Sequence, residues 1–289
     1  MAYDRVLSVR EHDDGVNSWR MAEVSAPPEL RNEIYGYSDY RERTGRFTVR
    51  RELPHAEGVL IVNLGAPIAI TGGDGRMLQL KPGDSFVAGA HLRPALSHSE
   101  GAQAGMHVFL PLATLRRLLG MPMDRLVDCV VPLDTLLGAG ARDLGAKLCE
   151  AKGCAARITL LDAALGRYLT QVAPLAPQQV HALQLLRAHP NKDISEIARD
   201  VGWSGKHLAS RVKDAIGIGP HCFRRLLRFQ MLTAMIGRRA GPPDWAGLAF
   251  DAGYCDQPHM VREFREFSGI TPTIYRARSL PDGGGVVEA

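Results

Sequence analysis

The hydrophobic pattern of this chain changes its period part-way along. Between residues 46 and 110, short runs such as FTVRREL and GVLIVNL alternate apolar and polar positions or are apolar throughout, and turn sequences such as TGGDGR and KPGD separate them. Short strands with frequent turns are typical of a barrel or a sandwich. Residues 1–45 are polar and aromatic, and there we expect an arm and one or two strands. The first part of the chain is therefore predicted to be rich in β-structure.

From residue 111 the apolar positions recur at helical spacing. Two longer helices are predicted near 140–151 and 155–173, and the second carries an apolar stripe at i, i+3, i+4 and i+7. The stripe comprises Ile158, Leu161, Leu165, Tyr168, Leu169 and Val172. The sequence APLAPQQ at 173–179 then contains two prolines and has no apolar period. It marks the predicted boundary between the two parts of the chain.

An internal repeat organises the C-terminal part. Residues 193–203 read DISEIARDVGW and residues 244–254 read DWAGLAFDAGY, at an offset of 51 residues without a gap. Each copy begins with an aspartate placed to cap a helix and contains a glycine placed to turn the chain sharply. A further helix follows each copy, near 204–214 and from Asp256 onwards. This order is the helix-turn-helix pattern, whose second helix enters the DNA major groove.

A long helix is predicted between the two units, over residues 220–237. At 1.5 Å per residue it spans about 27 Å, against about 34 Å between successive major grooves on one face of B-DNA. A strut of this length lets one chain place two reading helices in adjacent grooves. Arg224, Arg225 and Arg228 occupy its polar face, where they could meet phosphates or simply be solvated.

The C-terminal sequence resembles the AraC/XylS family of bacterial transcription regulators. The family pattern A-x-x-x-G-Y-x-D-Q, followed by R-x-F-x-x-x-x-G-x-T-P-x-x-Y-R, is present between Ala249 and Arg276. The resemblance covers roughly residues 178–278 and implies two helix-turn-helix units joined by one long helix. KPGD also resembles a turn of the cupin-like sensor domains that many such regulators carry. In the family a helix pair after the barrel often forms the dimer interface, although the stripe described above can equally pack on its own β-domain.

The predicted fold class is α+β, with a cupin-like β-barrel and a helical extension before an all-α domain of two helix-turn-helix units joined by a long linker helix. The expected parts are a β sensor domain (1–110), a helical extension that could dimerise (111–173), a linker (174–179), the DNA-binding domain (180–280) and a flexible tail (281–289).

The resemblance and the helix faces together indicate which residues contact DNA. Gln257 and Arg262 are the predicted base readers of the second unit, because Gln suits adenine and Arg suits guanine. In the first unit the family commonly has an arginine where this chain has Ser210, so an operator preference of its own is expected there. The full predicted DNA-binding set is Lys206, Ala209, Ser210, Arg211, Lys213, Arg224, Arg228, Gln257, Pro258, Val261, Arg262 and Arg265.

The charge distribution agrees with a nucleic-acid partner for the C-terminal part. The net charge is +4, yet residues 177–280 hold 15 Lys and Arg against 9 Asp and Glu, whereas residues 1–176 hold equal numbers of both signs. Excess basic charge on the repeated segment is what phosphate binding requires. The five cysteines form no C-x-x-C pair, which argues against a zinc finger or a disulfide framework. A polar N-terminus and the lack of a long apolar run predict a cytoplasmic, nucleoid-associated protein without a membrane partner.

Histidines in the β-rich part raise the question of a metal. Metal-binding cupins use a closely spaced H-x-H and a glutamate, and this chain has only His98-x-Glu100. We therefore predict no metal, no cofactor and no catalytic residue. If the β-domain is a sensor, the candidate residues for its ligand are His55, Phe86, His91 and His98.

These observations predict a DNA-binding transcription regulator that responds to a small-molecule effector. The expected partners are double-stranded promoter or operator DNA, the effector, a second copy of the chain in a homodimer, and RNA polymerase if the protein activates transcription. Two alternatives stay open. One is a cupin-type metal enzyme with an accessory DNA-binding domain, and the other is an effector-independent regulator whose N-terminal domain only dimerises.

Overall fold

A computed structural model describes residues 5–45, 49–238, 241–280 and 285–288. The strands are β1 (Val6–Asp13), β2 (Ser18–Val24), β3 (Gly36–Arg43), β4 (Val49–Glu52), β5 (Gly58–Asn63), β6 (Ile68–Thr71), β7 (Met77–Leu80), β8 (Ser85–Ala88), β9 (Ala95–His98), β10 (Ala102–Leu110), β11 (Val130–Pro132) and β12 (Val286–Val287). The predicted strand at FTVRREL begins outside the described residues, and β4 is its described part.

Eleven helices are assigned within these ranges. They are α1 (Leu112–Leu119), α2 (Leu133–Leu137), α3 (Ala139–Glu150), α4 (Cys154–Thr170), α5 (Pro177–Ala188), α6 (Ile194–Asp200), α7 (Gly205–Ile216), α8 (Pro220–Arg238), α9 (Trp245–Asp251), α10 (Gln257–Ser268) and α11 (Pro272–Arg278). Short 3-10 helices occur at Pro28–Leu30 and Met123–Leu126. Among the residues that the structure describes, none of the helices combines the length and the apolar character required to cross a bilayer.

The described strands form two sheets instead of one closed barrel. A seven-stranded sheet has the order β1-β2-β3-β10-β5-β8-β11, and a five-stranded sheet has the order β12-β4-β9-β6-β7. The pairs in both sheets are antiparallel. The predicted α+β class is confirmed, with a β-rich part followed by a helical region, and the barrel is corrected to two facing sheets. Residues 5–45 hold three strands instead of the one or two expected.

Alternation along β10 shows how the seven-stranded sheet divides the core. Met106, Val108 and Leu110 are fully buried on one face, in the large hydrophobic cluster that includes helices α1 to α4. The opposite face meets the five-stranded sheet, where a smaller apolar cluster includes Phe86. Side chains on a strand alternate between its faces, and the face of β10 opposite Met106 and Val108 carries the half-buried His107 and the exposed Phe109.

The apolar stripe of α4 packs inside its own chain. Ile158 and Leu161 are fully buried, while Leu165 and Leu169 are 3% and 6% exposed. Of the two interpretations open for this stripe, the structure supports packing against the β-rich part. These four side chains are therefore not available on the surface of the folded chain for a dimer contact.

The end of the chain returns to the β-rich part. Val286 and Val287 pair with Arg51 and Arg50 as β12, at the edge of the five-stranded sheet. Val286 is 2% exposed, and Glu288 forms an ion pair with Arg51. Within the segment 281–289, predicted as a flexible tail, the described residues 285–288 contain this strand, because an open strand edge offers backbone partners to a short segment. Helix α5 also begins at Pro177, inside the predicted linker.

Candidate nucleic-acid interface

The two helix-turn-helix units turn in the same way. In the first, Gly202 has φ 71°, and the next N–H, on Trp203, donates to the carbonyl of Ala198 at 2.8 Å. In the second, Gly253 has φ 79°, and the N–H of Tyr254 donates to the corresponding carbonyl of α9 at 2.9 Å. A left-handed conformation is easily adopted only by glycine. The repeat in sequence is therefore also a repeat in backbone geometry.

Side-chain caps fix the start of each helix in the two units. Asp193 caps α6 and Asp244 caps α9, each accepting from a backbone N–H of the first turn. Ser204 caps α7 through the N–H of His207, and Asp256 caps α10 through the corresponding N–H at 2.6 Å. The capping role predicted for the aspartate that begins each repeat copy is confirmed, and Asp256 caps its helix in the same way. Such caps stabilise a helix end by about 1 kcal/mol each.

Comparison with known proteins agrees with this geometry. A family model described as a helix-turn-helix domain matches residues 197–278. An uncharacterized HTH-type transcriptional regulator of Staphylococcus aureus (strain COL) is 28% identical over 91 residues, which are 32% of this chain and only 12% of the relative's length. The C-terminal part of this chain is an AraC-type helix-turn-helix domain.

Solved structures were also found to be similar, and one of them extends the comparison to the fold. ToxT from Vibrio cholerae has a TM-score of 0.50 and 7% identity, over 91% of this chain and 98% of that chain. A transcriptional regulator with an AraC-type DNA-binding domain from Chromobacterium violaceum is 23% identical, covers 35% of this chain and 90% of that chain, and has a TM-score of 0.32. The ToxT similarity shows that the order of a β-rich part and a helical region is shared.

In the AraC-type domain a buried carboxylate joins the linker helix to the second reading helix. Glu263 of α10 is 3% exposed, and its carboxylate accepts from Arg225 Nε at 2.7 Å and from Arg228 Nη2 at 3.3 Å. Arg228 also lies over the ring of Tyr254 at 5.3 Å, and burial beside Glu263 raises the pKa of that tyrosine. The two arginines pair with the negative charge of Glu263, which would otherwise be buried without a partner.

The side chains predicted to contact DNA fall into two groups. The first lies on the surface of the reading helices and is exposed: Lys206, Ser210, Lys213, Gln257, Pro258, Arg262 and Arg265. Ala209 and Val261 lie half-buried beside them. The first group therefore forms two polar faces, one on α7 and one on α10, with both basic and amide groups available to solvent.

The second group is engaged within the protein. Arg228 is held by Glu263, and its side chain is only 17% exposed. Arg211 donates from Nη2 to Gln179 Oε1 of α5 at 3.2 Å. Arg224 donates from Nε to the carbonyl of Pro190. All three arginines are half-buried, and in this structure each binds a partner within the protein.

A cavity of about 220 Å³ lies on the surface of α8 beside Arg224. Arg224, Arg225, Arg228 and His221 line it. Burial and the neighbouring charge of Arg228 lower the pKa of Arg224. Because Arg225 and Arg228 are already paired with carboxylates, the positive charge left in this cavity is smaller than the number of basic groups suggests.

A buried polar cluster lies between the two sheets of the β-rich part. Arg50 of β4 donates to Glu42 of β3 at 2.5 Å across the gap. The ring of Tyr40 lies 4.5 Å from that of His107, and burial lowers the pKa of His107 to about 4. Burial raises the pKa of Glu52 to about 7, against the attraction of Arg50. The cluster therefore combines one balanced ion pair with a neutral histidine and a carboxyl group that titrates near neutrality.

The residues predicted to bind a ligand separate in the structure. His55 and His91 come together, with ring centroids 5.5 Å apart, and burial lowers the pKa of both. Phe86 belongs to the apolar cluster between the sheets. His98 is corrected to the outer face of β9, where its Nε2 lies 3.2 Å from the hydroxyl of Thr71. No group of three or more His, Cys, Asp and Glu side chains suited to a metal is found in the described ranges.

Other members of these sites were missed from the sequence. Tyr40 and His107 were not among the predicted site residues, although strand alternation puts His107 opposite the apolar face of Met106 and Val108. Glu263 carries a clearer signal, because it lies three residues after Met260 on the inner face of an amphipathic helix. A carboxylate at such a position requires a buried partner, and the arginines of α8 are the nearest candidates in the chain.

Replacing Arg228 by Met should lower stability. The change removes one of two cations from a buried carboxylate, so we expect the free energy of unfolding in urea to fall by about 1–3 kcal/mol. Arg262→Met on the exposed face of the neighbouring helix is the matched control and should change it by less than about 0.5 kcal/mol. Equal losses for both variants would contradict the assignment of Arg228 to the core.

Glu52 should make stability depend on pH. Its pKa is about 7 in the folded protein against 4.5 ordinarily, so the folded state binds this proton more tightly than the unfolded state does. The resulting stabilisation is complete below pH 4.5 and is lost as the pH rises through 7. From pH 5 to 8 the wild type should lose about 2 kcal/mol relative to Glu52→Gln, measured by urea unfolding at each pH. Parallel pH curves for the two proteins would exclude this role.

Proposed function

We propose that this protein is a transcription regulator that reads DNA with α7 and α10 and binds a small effector between its two sheets. The observation that carries the DNA-binding part is the pair of capped, equivalently turned reading helices with exposed polar faces. The AraC-type domain supports the regulator class. The DNA-contacting roles of individual residues and the binding of an effector are proposed in addition to the domain class.

Electrostatic pairing distinguishes the residues available to DNA from those that stabilise the fold. Arg225 and Arg228 are neutralised by Glu263 and Glu266. Across the part of the chain that the structure describes, no carboxylate pairs with Arg262 on the exposed face of α10. An exposed guanidinium on a reading helix can donate two hydrogen bonds to guanine. Gln257, on the same helix, suits adenine.

The first unit supplies a different chemistry. Lys206, Ser210 and Lys213 follow one another at helical spacing on the exposed face of α7. A lysine is a point charge suited to phosphate, and a serine hydroxyl can donate to or accept from several bases. We infer that this unit contributes affinity and register, with Ser210 as its base contact.

Helix α8 sets the distance between the two units. It holds 19 residues, which corresponds to about 28 Å of helix. This is of the order of the 34 Å between adjacent major grooves on one face of the duplex. A homodimer would double the number of reading helices, and an activator would in addition contact RNA polymerase.

The effector site is inferred from buried polar groups between and beside the sheets. Among the described residues, the hydroxyl of Ser38 and Nε2 of His91 are buried without a hydrogen-bond partner. Buried polar atoms are normally hydrogen-bonded, so each of these two atoms points to a partner that is bound in another state. Such a partner would be a small molecule with hydrogen-bonding groups. An effector-independent regulator and a metal enzyme remain the competing hypotheses.

Selection from a random duplex pool with the full-length protein should enrich one sequence. Arg262→Ala should then weaken binding to that duplex by about 1–3 kcal/mol at fixed salt and relax preference at one base pair. Lys213→Ala should weaken binding to all duplexes alike and reduce the salt slope by about 1. Arg142→Ala, at an exposed position of α3, is the control. A pool that stays random would refute sequence-specific binding.

An effector should raise the melting temperature of the protein. A ligand that binds only the native state at 100 times its Kd adds about 2.7 kcal/mol of stability. A thermal-shift screen of small polar metabolites should therefore yield compounds whose effect is reduced in both Ser38→Ala and His91→Ala. Hits that act equally on wild type and both variants would place the effector elsewhere.

A further inference from the structure

We propose that Asp128 is a clamp that ties the buried His91 loop to the first reading helix, so that the two respond together. This inference rests on the proposed DNA-binding function of α7. It adds a route by which the sheet interior and the reading helix influence each other, through a loop at Gly89–Arg93 and the 3-10 helix Met123–Leu126.

Asp128 has an unusual backbone. Its φ is 60°, and it is the one non-glycine residue with positive φ in the described parts of the chain. Its carboxylate Oδ1 accepts from the N–H of Leu92 at 2.6 Å and from that of Arg93 at 2.9 Å. Its own N–H donates to the carbonyl of Ala90 at 3.1 Å. A left-handed aspartate is held only where its surroundings require it, and here three bonds hold it to one loop.

The same loop carries His91 into the interior. His91 is 3% exposed, its N–H donates to the carbonyl of His55 at 3.3 Å, and the two rings lie side by side. His55 in turn lies 2.7 Å, through Nδ1, from the carbonyl of Glu57. A change in the hydrogen bonding of the His91 ring therefore acts on a short loop with few alternative positions.

The loop is connected to α7 through the 3-10 helix Met123–Leu126, and the contacts on both sides of that helix are made by backbone atoms. A Cβ on Gly89 would lie 2.9 Å from the carbonyl oxygen of Leu126, so the loop backbone rests on the 3-10 helix. A Cβ on Gly217, which ends α7, would lie 2.6 Å from the carbonyl oxygen of Met123 at the other end of that helix. Backbone-to-backbone contacts of this kind transmit displacement because neither side can rotate away.

An ion pair also holds the C-terminal end of α7 in place. Arg116 of α1 donates to Asp214 of α7 at 3.0 and 3.1 Å. Helix α7 is therefore held at its C-terminal end by the β-rich part, while its N-terminal end presents Lys206 and Ser210. The 3-10 helix meets α7 at this same end, so its displacement would move α7 as a whole relative to α10.

Coupling of this kind is reciprocal. If the state of the His91 loop alters DNA binding by α7, then DNA bound to α7 must alter the loop by the same free energy. DNA alone is therefore a sufficient probe, and the effector need not be known.

Hydrogen exchange of the full-length protein tests the clamp, with and without the duplex enriched by selection. In the wild type, the duplex should change exchange at the amides of Leu92 and Arg93, which lie away from the reading faces. Asp128→Ala should bind the duplex and lose this response. Asp128→Asn should keep it, because asparagine tolerates positive φ and its Oδ1 still accepts. A wild type without the response, or an alanine variant that keeps it, would overturn the proposal.

A second pair of variants tests the contact without DNA. Gly217→Ala and Gly202→Ala place the same methyl group at φ 83° and 71°, but only the first meets a neighbour within 4 Å. Gly217→Ala should therefore speed exchange at residues 89–93 several-fold, and Gly202→Ala should leave it at the wild-type rate. Equal exchange in the two variants would overturn the clamp. If selection enriches no duplex, the proposed function fails, and this comparison still decides the clamp on its own.

Discussion

The relative position of the two reading helices depends on the buried carboxylate of Glu263. A single charge on the inner face of α10 must be paired, because the alternative is an ionised group in an apolar core. Arg225 and Arg228 pair with this charge. The basic face of α8, which would otherwise be solvated, therefore packs toward α10. One interaction thereby joins the second reading helix to the linker helix, with two arginines of α8 paired to a carboxylate of α10.

The two units contact different parts of the β-rich region. The first rests on α1 and the 3-10 helix Met123–Leu126 through the end of α7. The linker helix reaches the loop after β4, where Glu57 accepts from Arg187 of α5 at 3.0 Å and from Gln230 of α8 at 2.7 Å. The second unit meets β4 itself, since Arg51 donates to the carbonyl of Ser268 at 3.1 Å. The spacing of the reading helices is thus determined jointly by α8 and by the surface on which both units are docked.

The features that the sequence predicts correctly depend on residues that are close together in the chain. The caps at Asp193, Asp244 and Asp256 and the turns at Gly202 and Gly253 depend on residues within one turn of each other, so a single repeat revealed both units. The pairing of Arg228 depends on a residue 35 positions away, and the face on which His98 lies depends on strand orientation; neither has a local signal. The two-residue strand β12 is too short to show a period, and only an available edge on β4 makes it form. At these points the arrangement depends on contacts that are distant in the sequence and has no pattern from which it could be predicted.

Strand β4 connects the sheet interior to the DNA-binding half through its period of two. Arg50 and Glu52 face the buried polar cluster, while Arg51 between them reaches Ser268 and Glu288 on the opposite face. The chain then continues within five residues to Glu57 and its partners on α5 and α8. A rotation of β4 that accommodated a new charge state or a ligand beside Arg50 and Glu52 would move Arg51 by the same angle, because side chains on a pleated strand cannot reorient independently of its backbone. Strand β4 therefore contacts the buried polar cluster with one face and the second helix-turn-helix unit with the other.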